Sequence, residues 1–161
     1  METAFIASGC FWGTQYFMSR LPGVKESFVG FMGGTVENPS YKQVKIGETG
    51  HVETVKVVFD PMTTSYEDVL KMYFETHDFT QTDGQGIDIG SQYLSVIFYT
   101  SEEQRTIAAA LIAELTAMGY AVATQLRPAE SFWMAEDYHQ NYLDLRKETP
   151  ECHVYRAVFV K

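Results

Sequence analysis

Segments with the pattern of a β-strand alternate along this chain with segments that have the pattern of an α-helix. Residues 53–60 alternate strictly and place Val55, Val57 and Phe59 on one face. Residues 101–118 instead carry apolar side chains at helical spacing, and a glycine follows them. Such alternation predicts an α/β fold in which helices cover a mixed β-sheet.

The same patterns assign most of the remaining chain. Further strands are predicted at 3–8, 25–32, 92–100 and 121–126, and further helices at 11–21, 66–77 and 135–146. Residues 33–50 carry Gly, Asn and Pro and are predicted to form a loop, and residues after Pro150 to be extended. We therefore predict a two-layer α/β (α+β) sandwich, ferredoxin-like, with a mixed sheet, flanking helices and an extended C-terminal tail.

Length and charge limit the classes of function. The 161 residues fit one domain, so we predict a single domain over residues 1–161, with about 148–161 as its tail. The net charge of −9, with no run of Lys or Arg, argues against nucleic acid or a membrane surface as partner. The first residues, METAFIASGC, have no basic lead, which argues against a signal peptide. We expect a cytoplasmic monomer.

The pentapeptide GCFWG, Gly9–Gly13, places a cysteine between glycines and beside two aromatic rings. Cys10 follows a predicted strand and precedes a predicted helix, where unpaired N–H groups and the helix dipole favour a thiolate. Small neighbours leave its sulfur accessible, which favours a nucleophile over a buried structural cysteine. Phe11 and Trp12 either pack in the core or form a hydrophobic cradle for a small group such as a methyl. Cys152 is the only other cysteine, and in a reducing cytosol a transient pairing of the two is favoured over a structural disulfide.

Motifs along nearly the whole chain resemble those of the A-type peptide-methionine sulfoxide reductases, the MsrA family. In chain order they are GCFWG, Gly33-Gly34, NPSY at 38–41, GETGHVE at 47–53, His77-Asp78, QGIDIGSQY at 85–93 and AEDYHQNY at 135–142. The resemblance implies reduction of the S epimer of methionine sulfoxide, free or in proteins, to methionine. Such a reaction serves protein repair and defence against oxidative stress. We expect no cofactor and no metal ion.

The resemblance implies that Cys10 attacks the sulfoxide sulfur and that Glu53 is the acid that protonates the departing oxygen. The strand pattern supports Glu53 independently, because it shares the parity of the apolar residues at 55, 57 and 59. A carboxyl group in an apolar setting has a raised pKa and can stay protonated near neutral pH. The alternative is a solvated glutamate at the end of a strand.

The other site residues are implied by the same resemblance. Tyr41 and Tyr93 match two tyrosines that donate hydrogen bonds to the substrate oxygen. Asp88 matches a position that helps to bind and orient the substrate, although a turn aspartate between glycines is an alternative. Phe11 and Trp12 are expected to bind the substrate as the hydrophobic cradle.

Recycling of the enzyme requires a second thiol, either Cys152 or an external one, because attack leaves Cys10 as a sulfenic acid. The segment TPECHVYR resembles the C-terminal segment of family members with a resolving cysteine there, which implies that Cys152 forms a disulfide with Cys10. An exposed, reducible disulfide is consistent with thioredoxin as the electron donor.

The chain departs from the usual family pattern at five places. It has Gln15 where Glu is usual, Phe31 for Tyr, Phe79 for Pro and Leu94 for Arg, and it lacks a cysteine that is frequent near Lys45. None of these is a proposed chemical group. We expect them to affect substrate preference more than the type of reaction.

Three other classes of protein are alternatives. A cysteine hydrolase would need one of the four histidines close to Cys10; they are His51, His77, His139 and His153. A zinc site would need closely spaced ligands such as C-x-x-C, which this sequence lacks. A binding module would hold a methionine-like or peptide ligand in the aromatic cluster, and turnover would distinguish it from an enzyme.

Overall fold

The computed structural model of the protein describes residues 1–151 and 153–159. Its elements are, in chain order, β1 Glu2–Ser8, α1 Phe11–Met18, β2 Val24–Met32, α2 Tyr41–Ile46, β3 Val52–Phe59, α3 Tyr66–Glu75, β4 Gly84–Gln85, β5 Asp88–Ile89, a 3₁₀ turn Ser91–Tyr93, β6 Ser95–Tyr99, α4 Glu102–Ala117, β7 Gln125–Pro128, β8 Trp133–Met134, a 3₁₀ turn Asp137–His139 and α5 Tyr142–Arg146. The predicted alternation of strands and helices is confirmed.

The strands form a six-stranded mixed sheet in the order β7-β6-β1-β3-β2-β8. All neighbours in this sheet are antiparallel except β6 and β7, which are parallel. The short strands β4 and β5 form a separate antiparallel hairpin. Because β1 lies near the centre of the sheet, the residues that follow it lie at the ends of the strands, near the middle of the sheet.

The main core lies between the sheet and its helices. It contains Ile6 of β1 and Val55 of β3, which pack with Leu70 of α3 and Leu111 of α4. A smaller cluster covers the opposite face of the sheet, where Ala7, Val96 and Phe98 pack with the partly buried Phe5 and Phe132. The predicted two-layer arrangement of a mixed sheet with flanking helices is confirmed, whereas the ferredoxin-like label stays a prediction.

The predicted loop at 33–50 is wrong in part, because it contains the helix α2. Ser40 precedes this helix and its hydroxyl oxygen accepts a hydrogen bond from the N–H of Gln43, whose own side chain accepts from the N–H of Ser40. This reciprocal pair is a capping box. Gly47, with φ of 87°, ends the helix. The helix brings Tyr41 to the site described below.

The predicted helix at 135–146 is also wrong in part. The chain forms a 3₁₀ turn at Asp137–His139 and begins α5 only at Tyr142. Between them Asn141 has a φ of 55°, a left-handed conformation that interrupts a right-handed helix. The predicted strand at 121–126 lies later in the chain, at Gln125–Pro128.

The described part of the C-terminal segment has no regular secondary structure, yet it is docked on the body of the protein. The backbone N–H of Arg156 donates to the carbonyl oxygen of Glu75 at 2.7 Å. The carboxylate of Glu75 accepts from the N–H groups of Val158 and Phe159, at 2.8 and 3.2 Å. His153 in the same segment is buried. Among the described residues, no helix has the length and apolarity needed to cross a membrane.

Candidate active site

Cys10 occupies the junction between the central strand β1 and the helix α1, as predicted. It is the residue before the first helical turn, and its carbonyl oxygen accepts from the N–H groups of Gly13 and Thr14, at 3.2 and 3.4 Å. The Cys10 side chain is partly exposed. The thiol therefore stands at the positive end of the helix dipole, which favours a thiolate.

Gly9 makes the junction possible. Its φ of 89° lies in the left-handed region, and a Cβ atom at this position would stand 2.5 Å from the Cβ of Gln85. Gln85 belongs to the β4–β5 hairpin, and its amide exchanges two hydrogen bonds of 2.8 Å with the backbone of Asp78. The absent side chain of Gly9 thus lets the hairpin, which carries Asp88, pack against the junction.

Glu53 is buried beneath the start of α1, with 1% of its surface exposed. It pairs with Phe31 of β2, and it lies on the same buried face of β3 as Val55 and Val57. Its Oε1 atom accepts the backbone N–H of Phe11 at 3.1 Å. The strand parity predicted this inward placement. The hydrogen bond fixes the carboxyl group to the residue that follows Cys10.

One cavity of about 610 Å³ unites most of the predicted site residues. They line it as Cys10, Trp12, Tyr41, Glu53, Asp88 and Tyr93, together with Lys45, Gly86, Ile87 and Glu151. Its volume is typical of a small-molecule pocket. Strand β3, the two helices α1 and α2, the β4–β5 hairpin and the 3₁₀ turn before β6 each contribute at least one of these residues. The site is thus assembled from segments distant in sequence.

Tyr41 and Tyr93 remain neutral phenols over the physiological pH range. Burial, followed by the nearby Glu53 carboxyl group, raises the pKa of Tyr41 well above its usual value. Burial, and then the charges of Glu53 and Asp88, raise the pKa of Tyr93 to about 12. Neutral phenols can donate hydrogen bonds to an oxygen atom in the cavity.

The indole of Trp12 is held rigidly by aromatic neighbours. Its ring stacks on that of Tyr142, with centroids 3.9 Å apart and planes 11° apart. Its Nε1–H donates to Nδ1 of His139 at 3.1 Å. His139 is itself buried, and its ring centroid lies 4.3 Å from that of Tyr41. No sequence pattern predicts a place for His139 or Tyr142 in this wall, although both belong to the AEDYHQNY block that supports the resemblance.

Phe11 lies behind this wall rather than in it. Its side chain is fully buried, and its ring centroid lies 5.6 Å from that of Phe31 and 6.0 Å from that of Tyr41. Phe11 therefore supports the tyrosine that faces the cavity. Of the two aromatic residues of GCFWG, Trp12 is the one that lines it.

Gln15, one of the departures from the family pattern, joins three segments. Its Nε2 donates to the carbonyl oxygen and the hydroxyl of Ser27, at 2.9 and 3.2 Å, and its Oε1 accepts the N–H of Asn141 at 2.8 Å. The amide supplies both the donor and the acceptor that this arrangement requires, whereas a carboxylate could only accept. Of the other departures, Phe31 and Phe79 are fully buried in the core.

A smaller cavity of about 260 Å³ shares Cys10, Trp12 and Glu151 with the first. Its wall also includes Gly13, Tyr142, Glu148 and Pro150. The predicted resolving residue, Cys152, lies outside the described residues. Within residues 1–151 and 153–159, no cluster of three or more His, Cys, Asp or Glu side chains could hold a metal ion.

Comparison with known proteins gives this geometry a family. The family model described as "Peptide methionine sulfoxide reductase" matches residues 2–161. The chain belongs to the peptide methionine sulfoxide reductase family. Among curated relatives, MsrA of Methanoculleus marisnigri is 47% identical over 149 residues, covering 91% of each chain. MsrA of Saccharolobus solfataricus is 43% identical over 162 residues, covering all of this chain and 92% of the relative.

Solved structures of the reductases agree with the fold. Reduced Mxr1 from Saccharomyces cerevisiae superposes with a TM-score of 0.89 at 30% identity, covering 96% of this chain and 92% of Mxr1. Methionine sulfoxide reductase A of Corynebacterium diphtheriae gives 0.80 at 36% identity, covering 91% and 75%. The structure of Mxr1 in complex with Trx2 gives 0.64 at 20% identity, covering 96% and 89%.

Membership in the reductase family decides between the classes that the sequence left open. A peptide methionine sulfoxide reductase is an oxidoreductase that returns methionine sulfoxide to methionine. It is neither a cysteine hydrolase nor a binding module without turnover.

Proposed function

We propose that this reductase acts on the S epimer of methionine sulfoxide, free or within proteins, with Cys10 as the nucleophile. The observation that carries the proposal is the shared cavity, whose wall contains the Cys10 thiol, the Glu53 carboxyl group and the phenols of Tyr41 and Tyr93. These are the groups needed to attack sulfur, to supply a proton and to hold an oxygen atom.

In the first step, the Cys10 thiolate attacks the sulfoxide sulfur. The oxygen gains a proton from Glu53 as negative charge develops on it, and the phenols of Tyr41 and Tyr93 donate hydrogen bonds to the same atom. The oxygen passes to the cysteine sulfur, which becomes a sulfenic acid, and the substrate leaves as the thioether. The cysteine sulfur is thereby oxidised and the methionine sulfur reduced.

The substrate side chain is held by the wall that carries Trp12. The stack of Trp12 on Tyr142 and the hydrogen bond to His139 fix a flat apolar surface beside the thiol. We assign this surface to the methyl group of the substrate, with Phe11 supporting it from behind. Asp88, which also lines the cavity, orients the polar part of the substrate.

In the second step, the thiol of Cys152 condenses with the sulfenic acid of Cys10. A disulfide bond forms, and the hydroxyl group leaves as water with the thiol proton. The dithiol of thioredoxin then reduces the disulfide and restores both thiols. The complex of Mxr1 with Trx2 supports this choice of reductant by analogy.

The decisive experiment is an epimer-resolved assay with dithiothreitol as reductant. Wild-type protein should consume the S epimer and form one methionine per sulfoxide, whereas Cys10→Ser should form none. Consumption of the R epimer alone, or product formation by Cys10→Ser, would contradict the proposal.

Replacement of Cys152 tests the recycling scheme. Cys152→Ser should complete one turnover at the wild-type rate, because the first step does not use this thiol. It should then lose cycling with thioredoxin, while dithiothreitol still supports turnover. Undiminished cycling of Cys152→Ser with thioredoxin would show the scheme to be wrong.

We further propose that residues 1–161 act as one catalytic domain, as a monomer in the cytoplasm. The hydrogen bonds of the C-terminal segment to Glu75 support one unit. A cytoplasmic location suits a thiol enzyme that thioredoxin recycles, because that compartment keeps thiols reduced. Light scattering of the purified chain and fractionation of its source cells test the two statements, and a stable dimer or a secreted pool would contradict them.

A further inference from the structure

A buried polar cluster lies directly behind Cys10. It contains Ser8 at the end of β1, Thr14 in α1 and His153 of the C-terminal segment, each with 1% of its surface exposed. The hydroxyl groups of Ser8 and Thr14 are 2.6 Å apart. Nε2 of His153 lies 2.6 Å from the carbonyl oxygen of Ser8, and 3.4 and 3.5 Å from the two hydroxyl oxygens. Since a carbonyl oxygen can only accept, Nε2 carries the hydrogen and donates it.

The position of the His153 ring depends on Gly13. A Cβ atom at position 13 would stand 2.8 Å from Cγ of His153 and nearer still to its Nδ1 atom, so any other residue would push the ring away. Glycine inside a helix lowers stability by roughly 0.5–1 kcal/mol relative to alanine. The helix α1 therefore carries a destabilising residue at the one place where the imidazole needs the space.

We call this arrangement the His153 socket; it consists of Gly13, Ser8 and Thr14. It fixes the upstream end of the described part of the C-terminal segment, while Glu75 fixes residues further along through the N–H groups of Val158 and Phe159. The two ends are held by different elements, the socket by β1 and α1 and the other by α3. The contacts in the socket are therefore separate from those at Glu75. They hold the segment to residues that lie within a few sequence positions of Cys10.

We propose that the His153 socket is a positioning device for the resolving step, which seats His153 so that the neighbouring Cys152 thiol meets the sulfenic acid of Cys10. The inference rests on the proposed function, since it presupposes that Cys152 resolves Cys10. In that step the thiol sulfur is oxidised, the sulfenic sulfur is reduced, and water leaves. His153 takes no proton in it and acts through the placement of Cys152. Holding two reacting groups in place raises their effective concentration, which is the origin of the rate advantage.

The first test separates the two steps in His153→Ala. Methionine release in a single turnover should stay within about twofold of the wild-type rate. Disulfide formation, measured by counting thiols in quenched samples, should slow by at least about tenfold, because placement no longer assists it. Dimedone should then trap more of the Cys10 sulfenic acid. Val154→Ala, whose parent side chain is 72% exposed in the same segment, should leave both steps unchanged.

Two replacements of different reach test the hydrogen bond itself. In His153→Gln the amide nitrogen can occupy the place of Nε2 and donate to the carbonyl oxygen of Ser8, so resolution should be largely restored. In His153→Asn the amide nitrogen matches the place of Nδ1 and falls short, so resolution should stay slow. If disulfide formation in His153→Gln is as slow as in His153→Ala, the proposal that this hydrogen bond holds His153 in place is wrong.

Gly13→Ala provides a test that does not depend on the fold of the histidine variants. Its added methyl group should expel the His153 ring and slow disulfide formation about as much as His153→Ala does. In the double variant the methyl group has no ring to expel, so the two losses should not add. Additive losses, or disulfide formation at the wild-type rate in either single variant, would overturn the proposal. Normal methionine release in the same samples would show that the proposed first step still stands.

Discussion

Glu53→Gln tests the proton donor with little change in structure. The Gln side chain can keep an oxygen acceptor for the N–H of Phe11, which Glu53 binds at 3.1 Å. Its amide group can still donate a hydrogen bond to the substrate oxygen, but it has no proton to transfer. General acid catalysis contributes roughly 10²–10⁴-fold. Because Tyr41 and Tyr93 still stabilise the oxygen, we expect the low end, a loss of about 100-fold.

The stability of the same site can be separated from its chemistry with a second variant. Glu53→Ala removes the acceptor and leaves the buried N–H of Phe11 without it, at a cost of about 1–3 kcal/mol. For a chain of this size, each kcal/mol lowers Tm by about 2–4 °C. We therefore expect Glu53→Ala to unfold about 2–12 °C below wild type, and Glu53→Gln to stay close to wild type.

The assay is single-turnover formation of methionine by stopped or quenched flow, with thermal unfolding of each variant recorded in parallel. Glu103→Gln, an exposed change in α4, serves as the matched control and should alter neither quantity. A Glu53→Gln variant that forms methionine at the wild-type rate would remove this carboxyl group from the mechanism. Equal melting temperatures for the Ala and Gln variants would refute the role of the hydrogen bond to Phe11.

Three further predictions follow from buried polar groups. Burial lowers the pKa of His77 from 6.5 to about 3, so stability is full above pH 6.5 and falls on acidification, by about 2 kcal/mol at pH 5. In urea unfolding, the free energy of unfolding of His77→Asn should therefore depend less on pH than that of the wild type, and an equal dependence on pH would contradict this. Gln15→Glu should lower the free energy of unfolding by about 1–3 kcal/mol at pH 7, because a carboxylate cannot donate to the carbonyl oxygen of Ser27. The loss should disappear on acidification as the carboxyl group protonates, and a variant as stable as the wild type at pH 7 would contradict this prediction. Tyr41→Phe and Tyr93→Phe should each slow methionine formation by about 10- to 100-fold, because each loses a hydrogen bond to a charged group. Tyr138→Phe, an exposed control, should keep the wild-type rate. Wild-type rates in Tyr41→Phe and in Tyr93→Phe would exclude hydrogen bonding by the phenols.

The part of the fold that the sequence patterns predicted is the part built from long periodic segments. Alternation over 53–60 placed Glu53 on the buried face of its strand, because a strand has only two faces. Short elements were missed, although the Ser40 and Gln43 capping box was visible as S-x-x-Q. At Asn141 the left-handed conformation that divides the predicted helix is accompanied by a hydrogen bond from its N–H to Gln15, a contact between distant parts of the chain.

The site was predictable to a different degree. The placement of Cys10 followed from a local junction, and strand parity supported Glu53. Tyr41, Tyr93 and Asp88 were identified only through the resemblance, because no local pattern distinguishes Tyr41 or Tyr93 from the other tyrosines. The sequence offers His139 and His153 only as possible partners of a hydrolytic cysteine. Their contacts with Trp12 and with the end of β1 join segments that periodicity does not relate.

The two glycines that flank the pentapeptide GCFWG leave gaps that other parts of the chain fill. The gap at Gly9 receives Gln85, and the gap at Gly13 receives His153. Random mutagenesis of these five positions should therefore find that both glycines tolerate few replacements when the assay requires recycling by thioredoxin. Phe11 and Trp12 make the motif easy to recognise, but the space left by Gly9 and Gly13 determines which distant segments of the chain can pack around the Cys10 sulfur.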